Sequence, residues 1–566
     1  MLWQALSPPD PDLTQELAAQ LEIPKPIAYL LVQRGISSFE SAKTYFRPSW
    51  ELLHDPFAMK DMEQAVIRLA NAINIQESVM VFGDYDVDGT TSVALVTSYL
   101  QTQLDQVTPY IPDRYKEGYG ISKKGIEYAK AEGITLIIAL DCGIKARELV
   151  DYANSLGIDF IICDHHLPDH VLPNATAVLD PKRSDCLYPY KELCGCGIGF
   201  KLIQALHSHL NLDEGVLYQY LDLVATAIAA DIVPMTGENR LLSALGIEQM
   251  KIKPRPGFQF FISNLKKPLR VSDLVFIIAP RINAAGRMNQ GIDAVSLLLS
   301  KTQEEALPIA RSIEYFNSER RSTEERITKE ALQQIELEGA QSNITTVVYH
   351  PSWHKGVIGI VASRLIETYY RPTVVLTQSE NILAGSVRSV RGFDVYQALE
   401  ACKDFMIQFG GHKYAAGLTL KEAQLEGFKA AFEEAVRTRI TENQKIPILY
   451  YDAELSFDQV SAKLYRILRQ MAPFGPQNMK PVFKTPHCID KGGSRIVGKD
   501  QNHLKLEVLD NSGTVMQGIG FNLGHYYPKL KKKQAFSILY TLDENEYQGN
   551  SSLQLVIKDL QFEESF

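Results

Sequence analysis

The chain has 566 residues, 45% of them hydrophobic, with 58 Lys and Arg against 67 Asp and Glu for a formal net charge of −9. That length calls for several domains, each with its own core, and the acidic balance excludes a whole-chain basic footprint for nucleic acid while leaving room for a local basic groove. No apolar run reaches the ~18 residues of a membrane span, the Met1-Leu2-Trp3-Gln4 start lacks a leader pattern, and seven scattered cysteines point to reduced thiols and a cytoplasmic setting.

In chain order, residues 1–75 read as short helices punctuated by Pro24, Pro26, Pro48 and Pro56, with no evident chemistry. From 76 to 300, apolar strands alternate with helical stretches. The strands are predicted at Val79–Phe82, Val107–Ile111, Thr135–Leu140, Asp159–Cys163 and Ala177–Leu179, and the helices include Ser92–Gln103, Lys123–Ala131 and Ala146–Leu156. This alternation predicts a parallel α/β sheet, whose ligands sit beyond the carboxyl ends of the strands.

At that edge the first strand runs into Gly83-Asp84-Tyr85-Asp86-Val87-Asp88-Gly89. In an extended segment, acids at every second position share one side, and their mutual repulsion asks for a cation. A calcium loop of the EF-hand type would need Glu at its twelfth position, which is Leu95 here. Asp141 follows the run Leu136–Leu140, and Asp164-His165-His166 follows Phe160–Cys163, so three strand ends deliver metal-capable groups to one edge. A fourth acid, Asp231, closes the apolar helix pattern Tyr220–Ala230. Cys194-Gly195-Cys196, with Cys186 nearby, lacks zinc-site spacing and reads as buried structural thiols.

Further along, Arg281, Asn283 and Arg287 stand among small residues in a pattern suited to phosphate. Residues 301–340 read as a long charged helix joining two lobes. The segment 341–445 reads as a second α/β lobe with polar islands at His354-Lys355-Gly356, Arg388 and Gly410-Gly411-His412, where paired glycines would let a backbone approach an anion. Residues 446–566 change to short strands with turns, the pattern of a small OB-like barrel, and carry Lys529, Lys531, Lys532 and Lys533 beside Tyr526 and Tyr527, a mixture suited to single-stranded nucleic acid.

The motifs at Gly83–Gly89, Asp141-Cys142-Gly143, Asp164-His165-His166 and Asp231 resemble the four motifs of the DHH phosphoesterase superfamily. The run Arg114–Gly120, together with Pro280–Arg287, His354–Gly359, Gly410–His412, Ala472–Gly475 and the β-rich tail, narrows the resemblance to the RecJ-type single-strand-specific exonucleases. The resemblance implies a DHH lobe and a DHHA1-type lobe across a cleft, and 5′→3′ digestion of single-stranded DNA in recombination and repair. It also implies work beside a helicase and a single-strand-binding protein; a monomer is the default expectation. Carried over by motif, Asp86, Asp88, Asp141, His165 and Asp231 fall on ligand positions for two Mn2+ or Mg2+ ions roughly 3.5–4 Å apart, with Asp141 bridging and Asp84 completing a shell. Asp164 and His166 take supporting or phosphate-facing roles in the catalytic set, and Arg281, Arg388 and His412 hold phosphate. Two alternatives stay open: a DHH enzyme for short oligonucleotides, against which the tail argues, and an inactive DNA-binding relative, against which the intact acids and histidines argue.

Overall fold

The computed structural model describes residues 1–288, 290–547 and 550–563. The chain divides into two compact units. One comprises Met1–Leu2, Pro56–Asp231 and Met250–Pro447, the other Trp3–Asp55, Ile232–Gln249 and Ile448–Phe566.

The first unit opens with a five-stranded, all-parallel sheet in the order β2-β1-β3-β4-β5, formed by β1 (Val79–Gly83), β2 (Val107–Tyr110), β3 (Leu136–Leu140), β4 (Asp159–Cys163) and β5 (Ala177–Leu179). Covered strands of this kind read as unbroken apolar runs, and every residue of β1, β3 and β5 is buried. Parallel neighbours need crossover helices, supplied by α1 (Val87–Leu100), α2 (Lys123–Ala131) and α3 (Arg147–Ser155). The register is the feature that matters for chemistry. Gly83 pairs with Leu140, Leu140 with Cys163, and Cys163 with Leu179, so four strands end level. The next residue on each is an aspartate: Asp84, Asp141, Asp164 and Asp180.

Behind this edge stand α4 (Gly195–His209), the apolar α5 (Leu221–Ala230) and α6 (Ala279–Met288). The 35-residue α7 (Gln303–Leu337) buries Ala306, Ala310 and Ile313 in its first half. Farther along it joins Ile327, Ala331 and Ile335 to the core of the second lobe, beside Trp353, Val357 and Val361. That lobe holds a mixed sheet in the order β9-β10-β8-β7-β6, from β6 (Thr346–Tyr349), β7 (Thr373–Ser379), β8 (Ile382–Arg388), β9 (Gln408–His412) and β10 (Ala415–Leu420), with only β6 and β7 parallel. Gly410-Gly411-His412 therefore lies on an edge strand. The expected two α/β lobes joined by a long helix are present.

The second unit is a closed barrel. Phe483–Asp490 pairs with both Phe536–Tyr547 and His503–Leu509, and Val515–Gly520 and Asn550–Phe562 complete the ring. Closure removes free sheet edges. Leu17, Ile27, Leu30 and Leu31 from the N-terminal helices enter the same apolar core as Leu506, Phe536 and Tyr540. No helix among the described residues is long and apolar enough to cross a membrane.

Candidate metal centre

The Asp84–Asp88 segment does not continue the strand. β1 stops at Gly83, Asp86 caps α1 by accepting the Gly89 N–H at 3.1 Å, and Asp88 lies in the first helical turn. The expected one-sided extended row of three acids is thus corrected: the three aspartates leave a strand end, a cap and a helix. An N-terminus favours negative side chains, which is why two acids are tolerated there. Gly89 is dictated by the tightness of this turn, since a Cβ would meet the Asp84 backbone.

Four residues converge opposite it. His165 Nε2 lies 3.1 Å from Asp141 Oδ1, 3.6 Å from Asp231 Oδ2 and 3.8 Å from Asp88 Oδ2. Burial, added to by the neighbouring His166, pushes the His165 pKa down to about 3, so its ring is neutral and Nε2 can offer a lone pair. Lone pairs facing lone pairs across 3–4 Å repel unless a cation lies between them. The acids report the same strain. Burial first, then Asp86, pushes Asp88 up to about 7, and the same two causes push Asp84 to about 7. Burial, then Asp88, pushes Asp231 up to about 8 at the unfavourable C-terminal end of α5. Burial, then Asp88 and the other surrounding acids, raises Asp141 well above its ordinary value. Asp84 Oδ1 and Asp141 Oδ1 are buried without a hydrogen-bond partner, and the Asp141 backbone sits at φ +60°, a costly geometry outside glycine. Two trios, Asp141-His165-His166 and Asp88-His165-Asp231, each bring a ligand atom apiece within 4.8 Å of one another. Mostly oxygen with one or two imidazoles is the donor set of Mn2+ or Mg2+, and the orphaned carboxylate oxygens fit such ions.

Asp164 differs from its row-mates. Its two oxygens accept the N–H groups of Ile144 at 2.9 Å, His165 at 2.7 Å and His166 at 3.1 Å, and His166 Nδ1 at 2.7 Å. Burial alone would raise its pKa, but these bonds, led by that from His166, hold it below the ordinary value. Asp164 is therefore filled by donors and orients His166. On the far side of that ring, Tyr119 Oη lies 3.2 Å from Nε2 and donates to the Asp141 carbonyl at 3.4 Å. Asp86, Tyr119, Asp141, His166, Asp231 and His412 line one cavity of about 310 Å3, so His412 faces the acids from the second lobe.

Asp88 is held by the start of α4, whose Gly195 and Cys196 N–H groups donate to its two oxygens at 2.7 Å each. A Cβ on Gly195 would lie 2.6 Å from Asp141 Cβ and 2.8 Å from its Cα. Gly195→Ala is accordingly expected to displace Asp141 and Asp88 together and to cut turnover by ~10²-fold or more, checked by steady-state kinetics on protein whose circular dichroism matches wild type. All seven cysteines are buried free thiols, Cys194 and Cys196 among them.

The arginines divide into two groups. Arg281 donates to Glu314 at 2.5 Å and 3.1 Å and to the Ile277 carbonyl at 2.7 Å, so its guanidinium is committed on its own side of α6. Asn283, half-buried on that helix, makes no hydrogen bond among the described residues. Arg287 and Arg388 instead approach each other with Arg114, a residue to which the sequence reading gave no role. Burial, followed by Arg114 and Arg320, brings the Arg287 pKa down to about 10, and burial followed by Arg114 lowers Arg388. Arg114 stacks 4.6 Å over the Tyr85 ring, and Tyr115 Oη donates to the Arg287 carbonyl at 2.8 Å. None of the three has an ion-pair partner among the described residues. Arg287 donates to the Gly356 carbonyl at 3.2 Å and Arg388 to the Val387 carbonyl at 2.8 Å, and grouped cations whose charge meets no carboxylate make an anion seat. Gly410 and Gly411 are exposed, and a Cβ on Gly411 would strike the Ala415 carbonyl, which fixes glycine there. Sequence reasoning also missed Asp180, although it ends the apolar run Ala177–Leu179 as the other acids end theirs.

A parallel-sheet lobe with an acidic, histidine-bearing centre at its carboxyl edge, faced by a second lobe that brings basic groups, defines a two-lobed metal-dependent phosphoesterase. The DHH family N-terminal domain matches residues 78–228, the DHHA1 domain 341–438 and the RecJ OB domain 451–559. The chain is 36% identical over 564 residues to the single-stranded-DNA-specific exonuclease RecJ of Bacillus subtilis, covering 99% of this chain and 70% of that one, and 35% identical to RecJ of Salmonella typhimurium, with 97% of each covered. Among solved structures, RecJ from Thermus thermophilus in complex with Mn2+ superposes with a TM-score of 0.84 at 27% identity, covering 100% of this chain and 80% of the other. The chain belongs to the RecJ family of single-stranded-DNA-specific exonucleases.

Proposed function

We infer that this protein is a divalent-metal-dependent exonuclease that hydrolyses the phosphodiester bonds of single-stranded DNA. The observation that carries the reading is the convergence of His165 Nε2 with three carboxylates within 3.1–3.8 Å, beside an unpaired arginine group. Asp86, Asp88, Asp141, His165 and Asp231 would hold the metal ions, with Asp84 in support. Bound Mn2+ or Mg2+ supplies positive charge for the phosphate and a strong nucleophile from water at neutral pH.

The chain's own groups do the rest. His166 has Asp164 on Nδ1 and Tyr119 at Nε2, and burial notwithstanding, Asp164 raises its pKa. It is placed to keep a proton on Nε2 and hand it to a departing oxygen. His412 closes the cavity from the second lobe and steadies a phosphate oxygen. Arg114, Arg287 and Arg388 seat the terminal 5′-phosphate. Because Arg114 bears electrostatically on Asp84, that seat lies close to the acids, which supports removal of mononucleotides from the 5′ end. In the barrel unit, Lys531 rests 4.8 Å over the Tyr527 ring and Lys529 5.5 Å over Phe562, which supports a basic and aromatic surface for the strand. We place the enzyme in cytoplasmic recombination and repair as a monomer, working with a helicase and a single-strand-binding protein.

The test uses end-labelled 30-mers, single- and double-stranded, with 5′-phosphate, 5′-hydroxyl or 3′-phosphate ends, in Mn2+. Mononucleotides released from the 5′ end of single strands are expected, and Arg388→Met should raise KM by ~10-fold or more for the 5′-phosphorylated strand only. Release from the 3′ end would overturn the polarity, and cleavage confined to dimers and trimers would assign the protein to short oligonucleotides.

A further inference from the structure

The loop after β2 carries a hydroxyl that the proposed mechanism leaves without a role. Residues 113–120 are braced from within. Asp113 Oδ1 accepts the Tyr115 N–H at 2.9 Å and the Lys116 N–H at 3.1 Å, and the Glu117 carboxylate accepts the Asp113 N–H at 3.0 Å, the Tyr110 hydroxyl at 2.9 Å and the Ser122 hydroxyl at 2.6 Å. One end of this stiff loop reaches the metal centre, where Tyr119 Oη lies 3.2 Å from His166 Nε2. The other end reaches α6. There Tyr115 Oη donates at 2.8 Å to the Arg287 carbonyl, one of the last carbonyls of the helix, which α6 itself leaves unpaired. The arginines assemble around the same spot. Arg287 Nη1 donates to the Gly356 carbonyl at 3.2 Å, and a Cβ on Gly356 would lie 2.4 Å from Tyr115 Oη and 2.8 Å from the Arg287 carbonyl oxygen. Three residues on, a Cβ on Gly359 would lie 3.1 Å from Arg388 Nη2. Arg114 stacks on Tyr85, whose carbonyl oxygen would lie 2.8 Å from a Cβ on Gly286, the residue before Arg287. Tyr115 Oη thus fills the junction of the loop, α6 and the second lobe, with no room left for a methyl group.

We propose that Tyr115 is a positioning residue for the seat of the 5′-phosphate: its hydroxyl locks the end of α6 to the loop that reaches the metal centre, and so holds Arg287 and Arg114 at a set distance from the bond to be cut. The inference rests on the reading of Arg114, Arg287 and Arg388 as that seat. Arginine is a long side chain, and its head is only as well placed as the backbone that carries it. The hydroxyl fixes that backbone at Arg287, and the braced loop carries the constraint to Tyr119 beside His166. Phenylalanine would fill the same space but leave the Arg287 carbonyl without this donor and the end of α6 free to shift. A small shift matters here, because a phosphate bound off its place no longer brings the next phosphodiester to the acids.

The test reads the preference for a 5′-phosphate, taken as the ratio of kcat/KM on a 5′-phosphorylated single strand to that on the same strand with a 5′-hydroxyl, at saturating Mn2+. Tyr115→Phe is expected to lower this ratio ~3–10-fold, the effect of one lost hydrogen bond. Gly356→Ala, whose methyl group would displace both the hydroxyl and the Arg287 carbonyl, should lower it ~10-fold or more. In an Arg287→Met background, Tyr115→Phe should lower the ratio no further, since the hydroxyl acts through that arginine. A tyrosine that merely braced the fold would, when changed, reduce kcat/KM on both strands alike and leave the ratio where it was. An unchanged ratio in Tyr115→Phe, on a wild type that prefers the 5′-phosphate, overturns the role of Tyr115 alone, as does a full further loss in the Arg287→Met background. A wild type that shows no preference between the two strands overturns the 5′-phosphate seat itself, and this inference with it.

Discussion

Asp141→Asn is expected to abolish Mn2+-dependent cleavage, by ~10³-fold or more, and at the same time to raise the unfolding temperature of the metal-free protein. The two effects share one cause. Asp141 Oδ1 is buried without a hydrogen-bond partner, 3.1 Å from the neutral His165 ring, with Asp88, Asp86, Asp231 and Asp164 all pushing against its charge. An acid so placed serves the fold poorly and is explained by a cation. Asn keeps the shape, tolerates the left-handed φ of +60°, and removes the charge. Relief of repulsion in the empty centre should amount to ~1–3 kcal/mol, read as a rise of a few degrees in a thermal melt with EDTA. Added Mn2+ should stabilise wild type strongly and the variant little. Near-normal turnover in the variant would remove Asp141 from the centre, and a lowered melting point in EDTA would mean that the acids are not held under mutual repulsion.

Asp84, Asp141 and Asp164 were legible in the sequence because an apolar run stops at each, and a parallel sheet sends such ends to one edge. Asp180 carries the same signal after the predicted strand Ala177–Leu179, but no histidine or second acid directly follows it to mark a ligand motif. The reading failed where local pattern and backbone diverge. Val87, Thr90 and Thr91 are β-branched and disguise a helix that begins at Val87 rather than at the expected Ser92. What starts the helix is the Asp86 cap, and capping competes unseen with an extended row of acids.

Arg281 and Arg287 look equivalent as neighbours in sequence, yet six residues on a helix turn them about 120° apart. One side of α6 meets Glu314 and the other meets Arg114 and Arg388. Arg114 and Tyr119 belong to a loop without periodicity, fixed by partners as far away in the chain as Arg287 and His166. No local rule reaches across such separations. The resemblance to known exonucleases marked that loop as important, but the work of its side chains emerges only from the folded geometry.

The pH dependence of the metal-free protein should run against the usual trend, with stability falling as pH rises from about 6.5 to 8. The folded pKa values of Asp84 and Asp88 are raised to about 7 and that of Asp231 to about 8, and Asp141 is raised as well, each with burial as the leading cause. In the unfolded chain these groups titrate near ~3.9. Between the two values the folded protein binds more protons than the unfolded one, so stability decreases with pH until the folded-state groups have ionised. His165, lowered to about 3, acts in the opposite sense, but only below its unfolded value of ~6.5. Above that pH its ring is neutral in both states, and the loss from the acids is unopposed. His166, raised through its bond to Asp164, adds to the fall. The acids titrate as a set, and the loss between pH 6.5 and 8 should total ~1–3 kcal/mol. Urea midpoints in EDTA at pH 6.5 and 8 read it directly. Saturating Mn2+ should abolish the slope, because the ion replaces the protons, and metal uptake at pH 6.5 should release about one or two of them, measurable by calorimetry in buffers of different ionisation enthalpy. Asp141→Asn should halve the slope or better. A metal-free protein whose stability rises from pH 6.5 to 8 would mean that the acids of this edge are already ionised and compensated, and the case for a cation at the level strand ends would lose its electrostatic half.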